Sequence, residues 1–594
     1  FHGRIDNQVK LRGLRIELGE VENVIATYPS VRSSVVVVVH GDTDYLVAYF
    51  TAEEQVDLTA LKEHISKYLT AYMVPQAFMQ LEKMPMTANG KIDKKALPEI
   101  TVAVGKREKV KPENELQKIL CELFEKALGM EIGIDDDFFE FGGTSLTAAK
   151  ILMGAKVRNI PIEFQDIFDT KTVRKLEALI SSRMNSVHEQ THEKHEIVRK
   201  EDPKIEKVLE HNSFDYVSGI GENGIGNVLL AGATGFLGIH VLKELIDHSN
   251  NKITCLVHGR RTAKVDISPE SRLRLQLFYY FDNSYEELFD KRIFVKECSV
   301  DDKAGIDGLI DVDFDTVINC AASVKHFADF EVLKKVNVDG VENLIGLCLK
   351  KNARLIHLST TSVGGDTVDD SAVEKELTET HLNIGQDVAS NAYVHTKYLG
   401  EEKVLRAIAE HGLDAKIMRL GNLMSRQEDG EFQINLHTNN YMNTLRAYAA
   451  LGCCPYSEMY EQTDFSPIDE TARFILKLSG TLSMFTVFHV YNSHLVDMGD
   501  VLAAMEHCGI HIEMVSDEVF AEKLSESLKD ESINSLLSPL VNYDLTDDSY
   551  RSEIPCNNRF TVQALYMLGA RWSITDMDYL EKTIEKLKSL GFFE

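Results

Sequence analysis

Apolar and polar positions divide this chain into stretches of different period. Residues 1–100 hold two strand-length apolar runs, 31–39 and 45–50, and one stretch of helical period, 58–69. They predict a small α+β unit, and Asn89-Gly90 marks a tight turn near its end. Between 111 and 184 the period turns helical, at 115–128, 145–157 and 172–182, with a short turn at 164–168. That pattern predicts a small four-helix bundle. Residues 185–224 are polar, then glycine-rich, as a solvated tether is. From 225 onward apolar runs (228–231, 253–257, 293–296, 316–319, 354–359, 415–420) alternate with helical stretches (238–248, 332–349, 393–410). Right-handed crossovers make such an alternation a doubly wound parallel sheet of Rossmann type. The stretches 425–465 and 490–594 read as mainly helical and predict a cap over the sheet's carboxyl edge. The fold class is therefore multidomain: an α+β piece, a helical bundle, and a 225–594 α/β domain with a helical C-terminal cap.

Composition narrows the function. With 93 acidic against 64 basic residues the net charge is −29, which disfavours nucleic acid as a partner. The longest aliphatic run, 35–39, is strand-sized, so no membrane span is expected. No secretory signal leads the chain, and Phe1 falls inside a motif, which reads as a fragment boundary. Nine cysteines without a Cys-x-x-Cys pair suit a reducing, cytoplasmic setting. His188, His192 and His195 lie in the tether without a supporting core, and no metal is expected.

Three patterns carry chemistry. Gly142-Gly143-Thr144-Ser145 follows Asp136-Asp137-Phe138-Phe139 and leads into an apolar-periodic helix. A serine there is exposed at a helix start, where a phosphodiester is favoured. Gly232-Ala-Thr-Gly235-Phe-Leu-Gly238 follows a four-residue apolar strand and opens a helix, as a dinucleotide turn does. A second match by letter, Gly219-Ile-Gly221-Glu-Asn-Gly224, precedes the strand and reads as a flexible turn. Tyr393 and Lys397, four apart, share one helix face. A lysine beside a phenol is expected to lower its pKa and make Tyr393 a proton donor near neutrality. After the second strand comes His258-Gly259-Arg260-Arg261, with no carboxylate for ribose hydroxyls and two guanidiniums for a 2′-phosphate. The expected cofactor is NADPH.

Residues 3–22 (Gly-Arg-Ile-Asp-Asn-Gln-Val-Lys-Leu-Arg-Gly-Leu-Arg-Ile-Glu-Leu-Gly-Glu-Val-Glu) resemble the hinge and hairpin of the adenylate-forming enzymes of nonribosomal peptide synthetases, and 86–93 their late motif. The resemblance implies that Asp6 is the hinge and that Lys91 faces the acyl-adenylate transition state. The family's large amino-terminal core does not precede Phe1, so 1–100 is expected to be an adenylation C-terminal subdomain, the lid alone. Residues 111–184 resemble a peptidyl carrier domain, which implies 4′-phosphopantetheine on Ser145 and a phosphopantetheinyl transferase as partner. Residues 226–594 resemble the extended short-chain dehydrogenase/reductases, chiefly the thioester reductase domains that end peptide synthetases. This implies a catalytic set of Thr360 (Thr361 as fallback), Tyr393 and Lys397. It implies cofactor contacts at Gly232, Thr234, Gly235, Phe236, Leu237 and Gly238, at His258, Arg260 and Arg261, and at Asn319, Ala321 and Ala322, with Lys397 also holding the ribose. Asp464-Phe465-Ser466-Pro467-Ile468-Asp469 resembles the family's late Pro-Val-Asp turn. Two departures stand out: His258 occupies a place where the family often has Arg, and Ser299 one where many relatives have Asp.

The expectation is reductive release of a carrier-bound acyl or peptidyl thioester as an aldehyde, with a second hydride giving the alcohol. Upstream adenylation core and condensation domains would be the partners. Alternatives are a carboxylic acid or aminoadipate reductase-type module, a nucleotide-sugar epimerase or dehydratase-like domain fused to a carrier, and a carrier scaffold with an inactive docking domain.

Overall fold

The computed structural model describes the chain apart from 1–7, 86–93, 99–109, 190–201, 325–329, 366–375, 528–532, 542–553, 594 and shorter gaps within 12–82, 129–169 and 259–264. The chain forms two compact units: residues 1–194 with 528–542, and 195–527 with 543–594.

In the first unit, strands Val31–Val39 and Tyr45–Ala52 pair antiparallel, and Ala77–Gln80 adds in parallel to the second. The Val35–Val39 run is continuous because both faces of the sheet are covered. Val36 packs with Leu46, Phe50 and the helix Leu18–Ala26 on one side, and Val35 with Val47, Tyr49 and Met84 on the other. The helix Leu18–Ala26 and the strand Ala77–Gln80 were not anticipated.

The same unit holds a helical bundle built from Glu115–Leu128, Ser145–Lys156 and Val173–Glu189 around Leu120, Phe124, Phe138, Ile151 and Leu176. Gly143 is required by packing, since a Cβ there would lie 2.4 Å from the Phe138 ring. The helix Asn534–Val541 belongs to this unit and packs against Ser145–Lys156. Sequence alone had placed that segment in the cap of the other domain.

The second unit is a seven-stranded, wholly parallel sheet. Its elements in chain order are β1 (Val228–Ala231), α1 (Phe236–His248), β2 (Ile253–Val257), β3 (Ile293–Glu297), β4 (Thr316–Asn319), α2 (Gly340–Lys351), β5 (Arg354–Thr360), α3 (Ala392–His411), β6 (Ala415–Leu420), α4 (Ile468–Ser479) and β7 (Val487–Val490). The strands lie in the order β3-β2-β1-β4-β5-β6-β7. The strand order reverses between β1 and β4, and sheets of this kind bind ligands outside the carboxyl ends of the strands at such a point. Each face carries its own core. Ile239, Leu242, Ile318, Ile356, Met418 and Phe474 fill one, and Leu229, Val317, Leu344, Leu355, Val404 and Ile417 the other.

β7 was not anticipated. Nor do residues 490–594 serve only as a cap: the helix Arg559–Met567 lies beside β7, and its Phe560 and Leu565 join the sheet's core. Cap-like contacts do occur at Met577–Ser589, whose Tyr579 hydroxyl donates to the Ser425 carbonyl at 3.0 Å.

Candidate active site

The site begins where β1 ends. Gly232 has φ +76°, which favours glycine, and a Cβ on it would lie 2.6 Å from the Ala321 amide nitrogen. A Cβ on Gly238 would lie 2.1 Å from the Gly232 carbonyl oxygen, so helix and turn meet backbone to backbone. Gly235 is exposed and caps α1, and its N–H donates to Gly232 at 3.0 Å. Thr234 is half-buried beside it. The first amides of this helix have no intrahelical acceptor and Gly235 gives them no side-chain cap, which fits a dinucleotide pyrophosphate. Phe236 and Leu237 turn their side chains into the core, Phe236 against Tyr280 and Phe432 at ring distances of 6.0 and 5.8 Å.

At the end of β2, His258 is exposed and its carbonyl accepts from Arg272 at 3.0 Å. Burial and the Arg272 charge both push the imidazole pKa down. Arg260 and Arg261 stand in a short antiparallel ribbon, Arg260–Thr262 with Val265–Ile267, and their side chains lie outside the described residues. Arg272, on the helix Pro269–Phe281, is a basic group of this corner that no sequence pattern marked. Ser299 hydrogen-bonds the Asp301 carboxylate.

The end of β4 forms the next wall. Asn319 is buried, its Oδ1 accepts from the Ala321 amide at 3.1 Å, and its amide nitrogen lies 3.4 Å from His357 Nδ1. The Asn319 side chain is thus an internal brace, while Ala321 and Ala322 supply the surface. Asn337 clamps the following turn: its Oδ1 accepts from Ser323 N (2.9 Å), and its Nδ2 donates to Ser323 O (3.0 Å) and Thr396 Oγ1 (3.1 Å). It lies in a π-helical turn, 335–339, a feature frequent at functional sites.

At the end of β5, Thr360 Oγ1 accepts from the Ser362 amide at 3.2 Å and caps a single 3₁₀ turn. Thr361 instead donates to the Leu420 carbonyl at 3.3 Å, which ties it to β6. The first turn of α3 is capped by Asn391, whose Oδ1 accepts from Tyr393 N and Val394 N. Tyr393 is half-buried on that turn, and Lys397 one turn on is 2% exposed. The Lys397 ammonium donates to the Leu358 carbonyl at 2.5 Å.

Burial pushes the Tyr393 phenol up to about 12 and Lys397 down to about 8. The expected lowering of the Tyr393 pKa is therefore reversed here, because desolvation outweighs a lysine turned toward a carbonyl. Asp464, in the late turn, accepts from Asn422 N (2.8 Å) and Ser466 Oγ (2.7 Å), and braces the rim.

Ser145 opens its helix in the first unit, and its side chain lies outside the described residues. Asp6, Lys91, His192 and His195 also lie outside them, as does the side chain of His188. Among the described residues, no three His, Cys, Asp or Glu side chains could hold a metal ion, and no helix is long and apolar enough to cross a membrane.

A glycine turn, a hydroxyl at a strand end and a Tyr–Lys helix on one doubly wound sheet define a nicotinamide-dependent oxidoreductase. A thiolation–reductase di-domain from an archaeal nonribosomal peptide synthetase superposes with TM-score 0.70 at 33% identity, covering 82% of this chain and 99% of that one. The chain belongs to the thiolation–reductase family of nonribosomal peptide synthetases.

Other comparisons agree. Profiles match for the C-terminal domain of AMP-binding enzymes (residues 20–91), the phosphopantetheine attachment site (118–180) and the NAD-binding male sterility protein family (230–475). The aureusimine biosynthetic cluster reductase domain superposes with TM-score 0.53 at 26% identity, over 65% of this chain and 98% of that one. A linear gramicidin synthase polypeptide of Brevibacillus parabrevis is 28% identical over 617 aligned residues, covering all of this chain. Gramicidin S synthase 2 of Brevibacillus brevis is 41% identical over 198 residues, 32% of this chain and 4% of that protein. The chain spans 12% of the length of the linear gramicidin synthase polypeptide.

Proposed function

We propose that this chain reductively releases an acyl or peptidyl thioester held on Ser145, with NADPH as reductant. The observation that carries the reading is the Thr360–Tyr393–Lys397 set in the same chain as a phosphopantetheine attachment domain. The turn 232–238 would hold the pyrophosphate, and Arg260, Arg261 and Arg272 the 2′-phosphate. When bound, the reduced nicotinamide supplies a hydride.

The protein's own part is to bind, orient and protonate. The wall from Ala321 to Ser323 confines the nicotinamide side, and Lys397 would hold the ribose. Thr360 donates to the thioester carbonyl oxygen, and Tyr393 gives it a proton as charge develops there. Hydride and proton together convert the thioester carbonyl into a thiohemiacetal. Cleavage of its C–S bond returns the pantetheine thiol and frees the aldehyde. A second round would add two more electrons and give the alcohol.

Residues 1–100 are read as an adenylation lid, 111–184 as the carrier and 225–594 as the reductase. Of the expected tether 185–224, Pro203–Leu209 and Phe214–Val217 are instead helices that bury Ile205, Leu209 and Val217 in the two cores of the sheet domain, so the link between carrier and reductase is shorter than 185–224. A phosphopantetheinyl transferase would load the arm, and upstream adenylation and condensation domains the cargo. Nine free thiols support a reducing, cytoplasmic setting.

The test is to load Ser145 with an acyl-pantetheine, add NADPH or NADH, and follow the reduced-cofactor absorbance together with aldehyde trapping. Steady NADPH oxidation with aldehyde release is expected, and an unoxidised cofactor would refute the reading.

A further inference from the structure

Lys397 is placed at a cost. It lies in the site floor, 2% exposed, and burial alone would strip its proton. One helical turn further along α3 stands Glu401, 0% exposed, on the face that carries Tyr393 and Lys397. Its carboxylate is clamped by Arg419 of β6, also fully buried: Nε reaches Oε1 at 3.2 Å and Oε2 at 3.0 Å, and Nη2 reaches Oε2 at 2.8 Å. Arg419 is itself fixed from behind. It donates to the His381 carbonyl at 2.9 Å, and its Nη1 lies 3.0 Å from His489 Nε2 on β7. The His489 ring in turn meets the Asn557 carbonyl at 2.6 Å.

We propose that Glu401 is a positioning residue for Lys397: locked in place by Arg419, it supplies the negative charge that keeps the buried ammonium in the site floor. The inference rests on the reductase reading above. Other ionisable groups reach Lys397 from each neighbouring element. Tyr393 lies on its own helix, Cys320 follows β4, and His357 sits on β5. Burial holds the first two up at about 12 and His357 well below its ordinary range, so all three are neutral near pH 7. Glu401, one turn along the same helix face, is the larger of the two influences, with Cys320 the smaller, that oppose the desolvation drawing the lysine to about 8. Arg419 fixes the geometry of the carboxylate through three N–H···O bonds.

The protonated lysine serves the reaction, so activity falls as pH rises through its pKa. The experiment compares pH profiles of wild type, Glu401→Gln, Glu401→Asp and the double variant Glu401→Gln/Arg419→Met. The double variant removes both members of the buried pair, so that neither charge is stranded. In Glu401→Gln and in the double variant the alkaline limb is expected to move down by about one pH unit or more. Activity near pH 6 should be retained within a few-fold, and Glu401→Asp should keep a limb close to that of wild type.

NADPH affinity, measured by calorimetry over the same range, should show the same displacement without turnover. Failure of the reductase reading therefore appears as an inactive wild type, and failure of this inference as coincident profiles. A folded double variant whose limb overlays that of wild type in both measurements would overturn the proposal.

Discussion

Burial sets both halves of the Tyr393–Lys397 pair against their charged forms: it holds the proton on the Tyr393 phenol and eases loss of the proton from the Lys397 ammonium. Tyr393→Phe removes the proton donor and should lower turnover by about 10²–10⁴-fold, while calorimetry shows dinucleotide binding intact. A second titration belongs to Glu379, buried and accepting from Thr561 N and Oγ1, which burial pushes up to about 7. Between its unfolded value near 4.5 and about 7 the native state binds the extra proton, so stability is highest at low pH and falls as pH rises through that window. Glu379→Gln should flatten this slope and gain about 1–3 kcal/mol at pH 8 relative to pH 5, read by urea denaturation at both pH values. Tyr393 and Lys397 were legible because their spacing on a helix is itself the signal. Arg272 and Asn337 were not, since each acts on a residue that only the fold brings beside it, and Glu401 shares the helix of Lys397 but is locked by Arg419 from β6.

At the level of elements, the glycine turn is held by a backbone contact that no side chain can enter. Alanine at Gly238 would improve helix propensity by about 1 kcal/mol, but its methyl would lie 2.1 Å from the Gly232 oxygen. The clash wins. Gly238→Ala should lose about 1–3 kcal/mol and most of its NADPH affinity, seen by thermal melting with and without cofactor. Asn337→Ala frees both the 320–324 turn and Thr396. It should raise the NADPH Kd about tenfold while thermal stability falls by about 1–3 kcal/mol.

Six of the seven sheet strands could be read from sequence because each holds a short apolar run, buried along most of the strand except in the edge strand β3, which is buried only at Ile293. β7 could not, for its Val-Phe-His-Val carries a buried histidine that Arg419 and Asn557 satisfy from elsewhere in the fold. The sequence period through 332–349 is that of one continuous helix, whereas a π-helical turn interrupts it at Asn337, whose hydrogen bonds leave no periodic trace.

Across the whole molecule, the proposed release reaction would gain from joining carrier and reductase in one chain, since substrate and cofactor would then meet intramolecularly, at a concentration set by the reach of the segment between the two units. Ser145→Ala should abolish the phosphopantetheine mass increment and all turnover of tethered cargo, yet leave NADPH binding by the second unit unchanged. Intact mass spectrometry and calorimetry read the two outcomes separately. Domain order was legible because each part has its own hydrophobic period, but the membership of 534–541 was not, since an isolated helix does not say which core it joins.

That helix makes the first unit discontinuous along the polypeptide: it is completed only after more than three hundred residues of the second have been spelled out. A graft of this module into another synthetase, cut at the tether, would therefore leave a piece of the transplanted body behind. Swaps meant to preserve the thiolation bundle have to carry Asn534–Val541 along with it.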